Sequence, residues 1–319
     1  MPIRLAPLLA LPLLAGFLLA GPARAEAPPP DVVVTVKPLH SLTAAVMQGI
    51  GTPHLLVRGA ASPHAFSLKP SDARALDGAE LVVWVGPPLE AFLERPLTSL
   101  AGDADILTLA DVPGMELAQN RVGDAWGGGG HGHDHAAHGT DHHHQAGEVD
   151  GHIWLDPHNA KRIVAAVADA LVRIDPARAD TYRANAQDAA ERLDTLDREM
   201  AANLEPVKDR PFVTFHDAYQ YLERRYGLNA VGAITVSPDQ RPGARHVAEL
   251  RNRIRTLQAA CVFAEPQFEP ALVRTVAEGT DARTGVLDPE GANLTEGPDL
   301  YFELMRSNAG ALAECLAGS

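Results

Sequence analysis

Twenty-nine consecutive residues without proline or glycine, Ala177–Glu205, constrain this chain more than any other stretch. Within them Tyr182, Ala186, Ala189, Leu193, Leu196, Met200 and Leu204 recur at steps of three and four, the period of one helix face. Pro176 stands at the start, where its missing N–H costs nothing, and Pro206 ends the run. One helix of that length measures ~44 Å at about 1.5 Å per residue, enough to run along two small domains. A coiled-coil dimer is the competing reading. The run holds only about four heptads with small alanines at several seam positions, which favours a helix packed against its own domains.

The flanking sequence is of another kind. Asp31–Val36 holds the β-branched run VVVTV, and His54–Val57 and Leu81–Val85 (LVVWV) read as further strands. Ser41–Gly49 is compatible with a helix, and Ser71 is placed to cap another. After residue 210 the pattern returns, with strands at Phe212–Phe215, Cys261–Ala264 and Gly285–Leu287 and a helix at Asp217–Arg225 capped by Asp217. Strands without alternating polarity, separated by helices, predict an α/β chain of βαβ units with parallel sheets covered on both faces.

The first residues have the grammar of an export signal. Arg4 precedes sixteen apolar residues, Leu5–Ala20, interrupted by Pro7 and Pro12, and Ala23-Arg24-Ala25 supplies small residues at a cleavage point after Ala25. The run is shorter than the ~20 residues of a membrane span, and no cysteine lies near the cleavage point to carry a lipid. A soluble periplasmic protein is therefore expected. The chain of 319 residues has a formal charge of −14, which excludes a nucleic-acid binder because phosphate contacts need basic patches. In an oxidising compartment Cys261 and Cys315 favour a disulfide, with two buried free thiols as the alternative. Closing such a loop stabilises a fold by roughly 4 kcal/mol on the chain-entropy account.

Half of the 14 histidines fall in one segment. Gly127–Gly147 reads GGGGHGHDHAAHGTDHHHQAG, too poor in apolar surface to offset the entropy of ordering. His131, His133, His135, His138, His142, His143 and His144 are expected there as secondary metal ligands, because a flexible His/Asp tract wraps a borderline ion in many equivalent ways. A defined site needs ligands on rigid elements, and in an open α/β sheet those are the loops at the carboxyl ends of strands. His64 (in GAASPHAFSL), His152 (in DGHIWLDP), His216 (ending FVTF) and Asp288 (ending GVL) meet that criterion. Three imidazoles and a carboxylate make a four-coordinate set of the kind zinc takes. His40 also follows a strand, and Glu265 is a candidate partner for a ligating histidine.

The segments VKPLHSLTAAV, LVVWVGPPLEAF, DGHIWLDP, FHDAYQYLERRYGL and CVFAEPQF, with SPHAFSLKPSDARAL between the first two, carry a resemblance. In this order they resemble the zinc-uptake (ZnuA-type) periplasmic metal receptors of ABC importers. The resemblance implies two Rossmann-like lobes joined by a single long helix, with the metal site in the interlobe cleft. It implies His64, His152 and His216 as ligands, and leaves Asp288 or a water for the fourth position. The corresponding organisation is a signal peptide at 1–25, an N-terminal lobe at 26–175 with the His-rich loop 127–147, a linker helix at 176–206, and a C-terminal lobe at 207–319. Relatives that import manganese carry a carboxylate where this chain has His216, and a nitrogen there favours zinc.

The function expected is capture of Zn2+ in the periplasm by a monomer that delivers it to a membrane permease with its ATPase. A receptor for manganese, a secreted zinc hydrolase and a metal-dependent adhesin are the alternatives. The chain contains neither HExxH nor GxSxG; a shell filled by Asp288 would leave no room for substrate, whereas a water-completed shell keeps the hydrolase reading open, and no enzymatic activity is expected.

Overall fold

A computed structural model describes residues 27–121, 123–126, 148–235, 242–268 and 271–318. The expected leader and the His-rich tract lie outside these residues. The first half contains β1 (Val32–Val34), α1 (Lys37–Val46), β2 (His54–Leu55), α2 (Pro70–Asp77), β3 (Leu81–Trp84), α3 (Pro87–Glu90), α4 (Glu94–Leu100) and β4 (Asp105–Thr108). Two long helices follow, α5 (Pro157–Ile174) and α6 (Ala179–Leu204). The second half contains β5 (Phe212–His216), α7 (Gln220–Tyr226), β6 (Ala230–Thr235), α8 (Ala244–Leu257), β7 (Cys261–Ala264), α9 (Ala271–Ala277), β8 (Arg283–Val286) and α10 (Leu300–Ala317).

The strands form two parallel four-stranded sheets with the same winding, β2-β1-β3-β4 and β6-β5-β7-β8. Alternate residues of each strand face opposite layers. Val32 and Val34, Leu81 and Val83, Phe212, Cys261 and Phe263 face one shared apolar cluster. Val33, Val82 and Trp84 belong to a separate cluster behind the first sheet, and Val213, Phe215 and Val262 to another behind the second. The shared cluster also takes in α1, α5, α6 and α10, so one core runs through both lobes without a break.

The long helix occupies 26 residues, bounded by single 3-10 turns at Pro176–Arg178 and Glu205–Val207. Tyr182, Ala189, Leu193, Leu196, Met200 and Leu204 are its buried residues, and it packs on α1, α5 and α10. The expected seam is therefore filled by the chain itself. Cys261 and Cys315 are joined, tying β7 to α10.

Some local expectations are corrected. Ser71 lies inside α2, which starts at Pro70 with Lys69 in the capping position. Asp217 does not cap α7, which starts three residues later; its carboxylate accepts the Arg121 guanidinium instead. Strands β4 and β6 were not expected, and α1 starts at Lys37 rather than Ser41.

A strap from the first half crosses to the second. Arg121 pairs with both Asp217 and Glu223, and its guanidinium lies 3.5 Å above the Trp126 ring. Gly232 in β6 admits this strap, since a Cβ there would stand 2.6 Å from the Ala125 carbonyl oxygen. Lys37 is a second tie. It is 4% exposed, and its ammonium donates to the carbonyls of Gly291 (2.8 Å), Ala292 (3.0 Å) and Leu294 (3.2 Å).

Leu196, fully buried in the middle of the α6 seam, is the position where the shared core is most directly tested. Leu196→Ala is expected to destabilise the whole protein by about 2–5 kcal/mol. A urea titration should show one transition moved to lower denaturant, with both lobes unfolding together.

Candidate metal centre

Three histidines from distant parts of the chain meet where the carboxyl ends of the two sheets face each other. His64 sits in a 3-10 turn, Pro63–Ala65, on the loop after β2, with its N–H donating to the Ser62 hydroxyl at 3.3 Å. His152 follows an isolated antiparallel bridge between Gln119 and Val149. Gly151 lets that segment pass close to α3, because a Cβ there would come within 2.7 Å of the Leu89 side chain. His216 is the last residue of β5.

Each of the two buried rings is held by a carboxylate. His152 donates from Nδ1 to Asp150 at 2.8 Å, and its backbone N–H reaches the same oxygen at 3.0 Å. His216 donates from Nδ1 to Glu265 at 2.7 Å. A carboxylate accepts, so Nδ1 carries the proton in both rings and Nε2 presents a bare lone pair in the neutral form. Burial opposes protonation of His216, but the charge and hydrogen bond of Glu265 outweigh it and hold the ring above the ordinary histidine range.

The Nε2 atoms of His152 and His216 lie 3.3 Å apart. A proton on one of them bridges the pair as an N–H···N hydrogen bond, and a metal ion can take the place of that proton. A tetrahedral zinc with Zn–N bonds of about 2.0–2.1 Å has an N···N edge of about 3.3–3.4 Å, so the separation already matches that of two zinc ligands. The ring centroid of His64 is 5.4 Å from that of His152 and 5.9 Å from that of His216. One ring nitrogen from each of the three falls within 4.8 Å of the others. The cavity they line, with Glu265, Gln267 and Glu290 among its other walls, leaves about 10 Å³ open to a water-sized sphere. That is the room for one water or one ion.

Asp288 is not part of this converging group among the described residues. Its Oδ1 accepts the N–H groups of Glu290 (3.0 Å) and Gly291 (2.8 Å), and its Oδ2 accepts that of Ala292 (2.7 Å). Gln267 adds a further donor at 3.2 Å. Asp288 thus folds its own loop, with a single donor on its Oδ2. His40 is also apart from the group, bonding the Pro53 carbonyl at 3.0 Å from inside α1. Secondary ligands expected in the tract from His131 to His144 lie outside the described residues.

The sequence reading missed Asp150, Lys37 and Glu290. Asp150 had a local signal, since a carboxylate two residues before a histidine is well placed to accept both its N–H groups. Glu290 is 6% exposed, and its carboxyl is pushed well above the ordinary range by burial and then by Asp288, Glu90 and Glu265. Nothing in its sequence surroundings marks it as buried.

The family described as zinc-uptake complex component A, periplasmic (ZnuA), matches residues 32–315. The chain is 48% identical over 309 residues to the high-affinity zinc uptake system protein ZnuA of Brucella suis, covering 90% of this chain and 91% of that one. It is 38% identical over 290 residues to the protein so described in Yersinia pestis, covering 89% and 91%. A zinc-bound deletion mutant of ZnuA shares the fold, with a TM-score of 0.74 at 22% identity over 90% of this chain and 98% of that one. The match spans both sheets and all three converging histidines, and the chain belongs to the ZnuA family of zinc-uptake components.

Proposed function

We infer that this chain is a high-affinity periplasmic receptor that captures Zn2+ in the cleft and delivers it to the permease of an ABC importer. The observation that carries this reading is the 3.3 Å separation of the His152 and His216 Nε2 atoms, each ring locked by a carboxylate, with His64 beside them. The relatives' zinc-uptake role supports the same cargo. Zinc is here the substrate, and His64, His152 and His216 are its ligands.

The donor chemistry selects among ions. Three imidazoles form a nitrogen-rich set that suits zinc, whereas manganese prefers oxygen. Chemistry on a bound substrate would need an open coordination position and space beside the metal. The narrow space between the rings, about 10 Å³, favours an ion held for transport over an ion with a substrate beside it. The leader at 1–25, cleaved after Ala25, places the mature protein in the periplasm, where the disulfide found here persists. The partners are a membrane permease and its ATPase, and the receptor meets them as a monomer.

Mechanistically, the rings bind with their Nδ1 protons kept by Asp150 and Glu265, so an arriving ion displaces only protons carried on Nε2. The shared core and the ties through Lys37 and Arg121 oppose wide separation of the lobes. Release then proceeds by local rearrangement of a ligand-bearing loop when the receptor docks.

Competition titrations on metal-free mature protein test the site. His64→Ala or His216→Ala is expected to abolish the tight zinc equivalent, while deletion of 127–147 removes only weaker, additional equivalents. Tight binding that survives His64→Ala but is lost with the tract would place the site in the tract and end the cleft reading. The pH dependence is a separate test. Zinc affinity is expected to fall as pH drops from about 8 to about 5, because ligating imidazoles must be neutral. A flat profile over that range would mean that the ion is not held by histidines.

A further inference from the structure

His152 belongs to the first half of the chain, yet the bonds that place its segment come largely from the second. Residues 118–120 and 148–150 run antiparallel on a single bridge, Gln119 to Val149. The Asn120 N–H donates to the Glu148 carbonyl and the Asp150 N–H to that of Ala118, both at 2.8 Å. A ribbon this short does not hold its own shape. Helix α7 supplies what is missing. The Tyr221 hydroxyl sits between the two strands, accepting the Ala118 N–H at 3.0 Å and donating to the Asp150 carbonyl at 2.6 Å. Gln220 donates from Nε2 to the Gln119 carbonyl at 3.0 Å and to Asp150 Oδ2 at 3.4 Å. Both side chains are buried.

Beyond the ligand the second half takes hold again. Tyr301 on α10 donates its hydroxyl to the Trp154 carbonyl at 2.7 Å, and the Trp154 indole N–H donates to the Pro289 carbonyl at 2.9 Å. Between these two grips Asp150 Oδ1 accepts both the ring and the backbone N–H of His152. An unbroken series of bonds thus runs from Tyr221 through Asp150 to the ring. The same helix begins four residues after His216, the last residue of β5.

We propose that Tyr221, with Gln220 beside it, is a positioning residue for the captured ion. It ties His152 to the helix that follows His216, so that these two ligands are set together by the second lobe and face His64 on the first. The proposal rests on the cleft reading above and deepens it. Neither Tyr221 nor Gln220 lines the cavity of the three histidines, so both act through Asp150. A phenylalanine at 221 would fill the same space and leave the Ala118 N–H and the Asp150 carbonyl without their partner. Buried backbone groups deprived of a bond are costly, and the ribbon relieves that cost by shifting. His152 shifts with it.

Tyr221→Phe removes one oxygen atom. In competition titrations its zinc affinity is expected to fall about tenfold or more, the usual effect of losing a group that orients a ligand, with one tight equivalent retained. Nitrogen NMR of the zinc-loaded variant is expected to show displaced ring signals for His152 and unmoved ones for His64. Tyr182→Phe is the control. It removes the bond of another tyrosine hydroxyl, to Asp175 at 2.8 Å, away from this ribbon, and should melt lower with affinity and spectrum unchanged. If Tyr221→Phe behaves as the control does while His64→Ala abolishes binding, the proposal is overturned and the cleft reading stands. Should Tyr221→Phe fail to fold, Gln220→Met carries the test, since it keeps the side-chain length and removes the donors to Asp150 and Gln119. A lowered affinity with displaced His152 signals is expected there too, and unchanged values would overturn the proposal. Tight binding retained in His64→Ala would remove the cleft reading and the proposal together.

Discussion

The seam along α6 is the contact on which the rest of this molecule depends. The three converging histidines come from residues 64, 152 and 216, far apart in the chain and on loops governed by two separate sheets. Tenths of an ångström matter at a metal, so those sheets must hold a fixed relation. A flexible linker would not provide it. Here Leu193, Leu196, Met200 and Leu204 lie in the same apolar cluster as Val34 and Val83 of the first sheet and Phe212 and Phe263 of the second. Burial of a single leucine contributes about 1.5–3 kcal/mol, and the seam repeats that contribution turn after turn. Lys37 and the Arg121 strap then add directional bonds to a contact that is otherwise non-directional.

On that frame the site is prepared rather than assembled. Asp150 and Glu265 fix which nitrogen of each ring carries its proton, so His152 and His216 need no tautomer change to bind an ion. The two Nε2 atoms are held 3.3 Å apart, the spacing of two ligands on one tetrahedral ion.

How legible this was in the sequence varied with the range of the cause. The α6 helix could be read because its signal is local and repeated, with apolar residues at helical steps and no breaker. The VVV, LVVW and CVFA strands could be read because β-branched and aromatic runs leave few other readings. Strand β4 is only half-buried, and β6, AVGAIT, contains the small residues that admit the Ala125 carbonyl; both lack that composition for physical reasons. The three histidines were accessible through strand-end position and through resemblance. Asp217 looked like a helix cap because Asp after a strand usually is one, but Arg121, distant in sequence, claims it. Asp288 and Glu290 are two residues apart, and nothing in their spacing says which turns inward. That choice follows from backbone donors at residues 290–292, which exist only once the loop has folded.

The small size of the cavity has a consequence for the choice of ion as well as for affinity. An ion seated among three ring nitrogens has exchanged part of its hydration shell for them, since the space between the rings is only about 10 Å³. Magnesium, a hard cation that gives up water reluctantly and seeks six oxygens, is poorly served by that exchange. The cost of dehydration therefore enters selection beside the strength of the bonds formed.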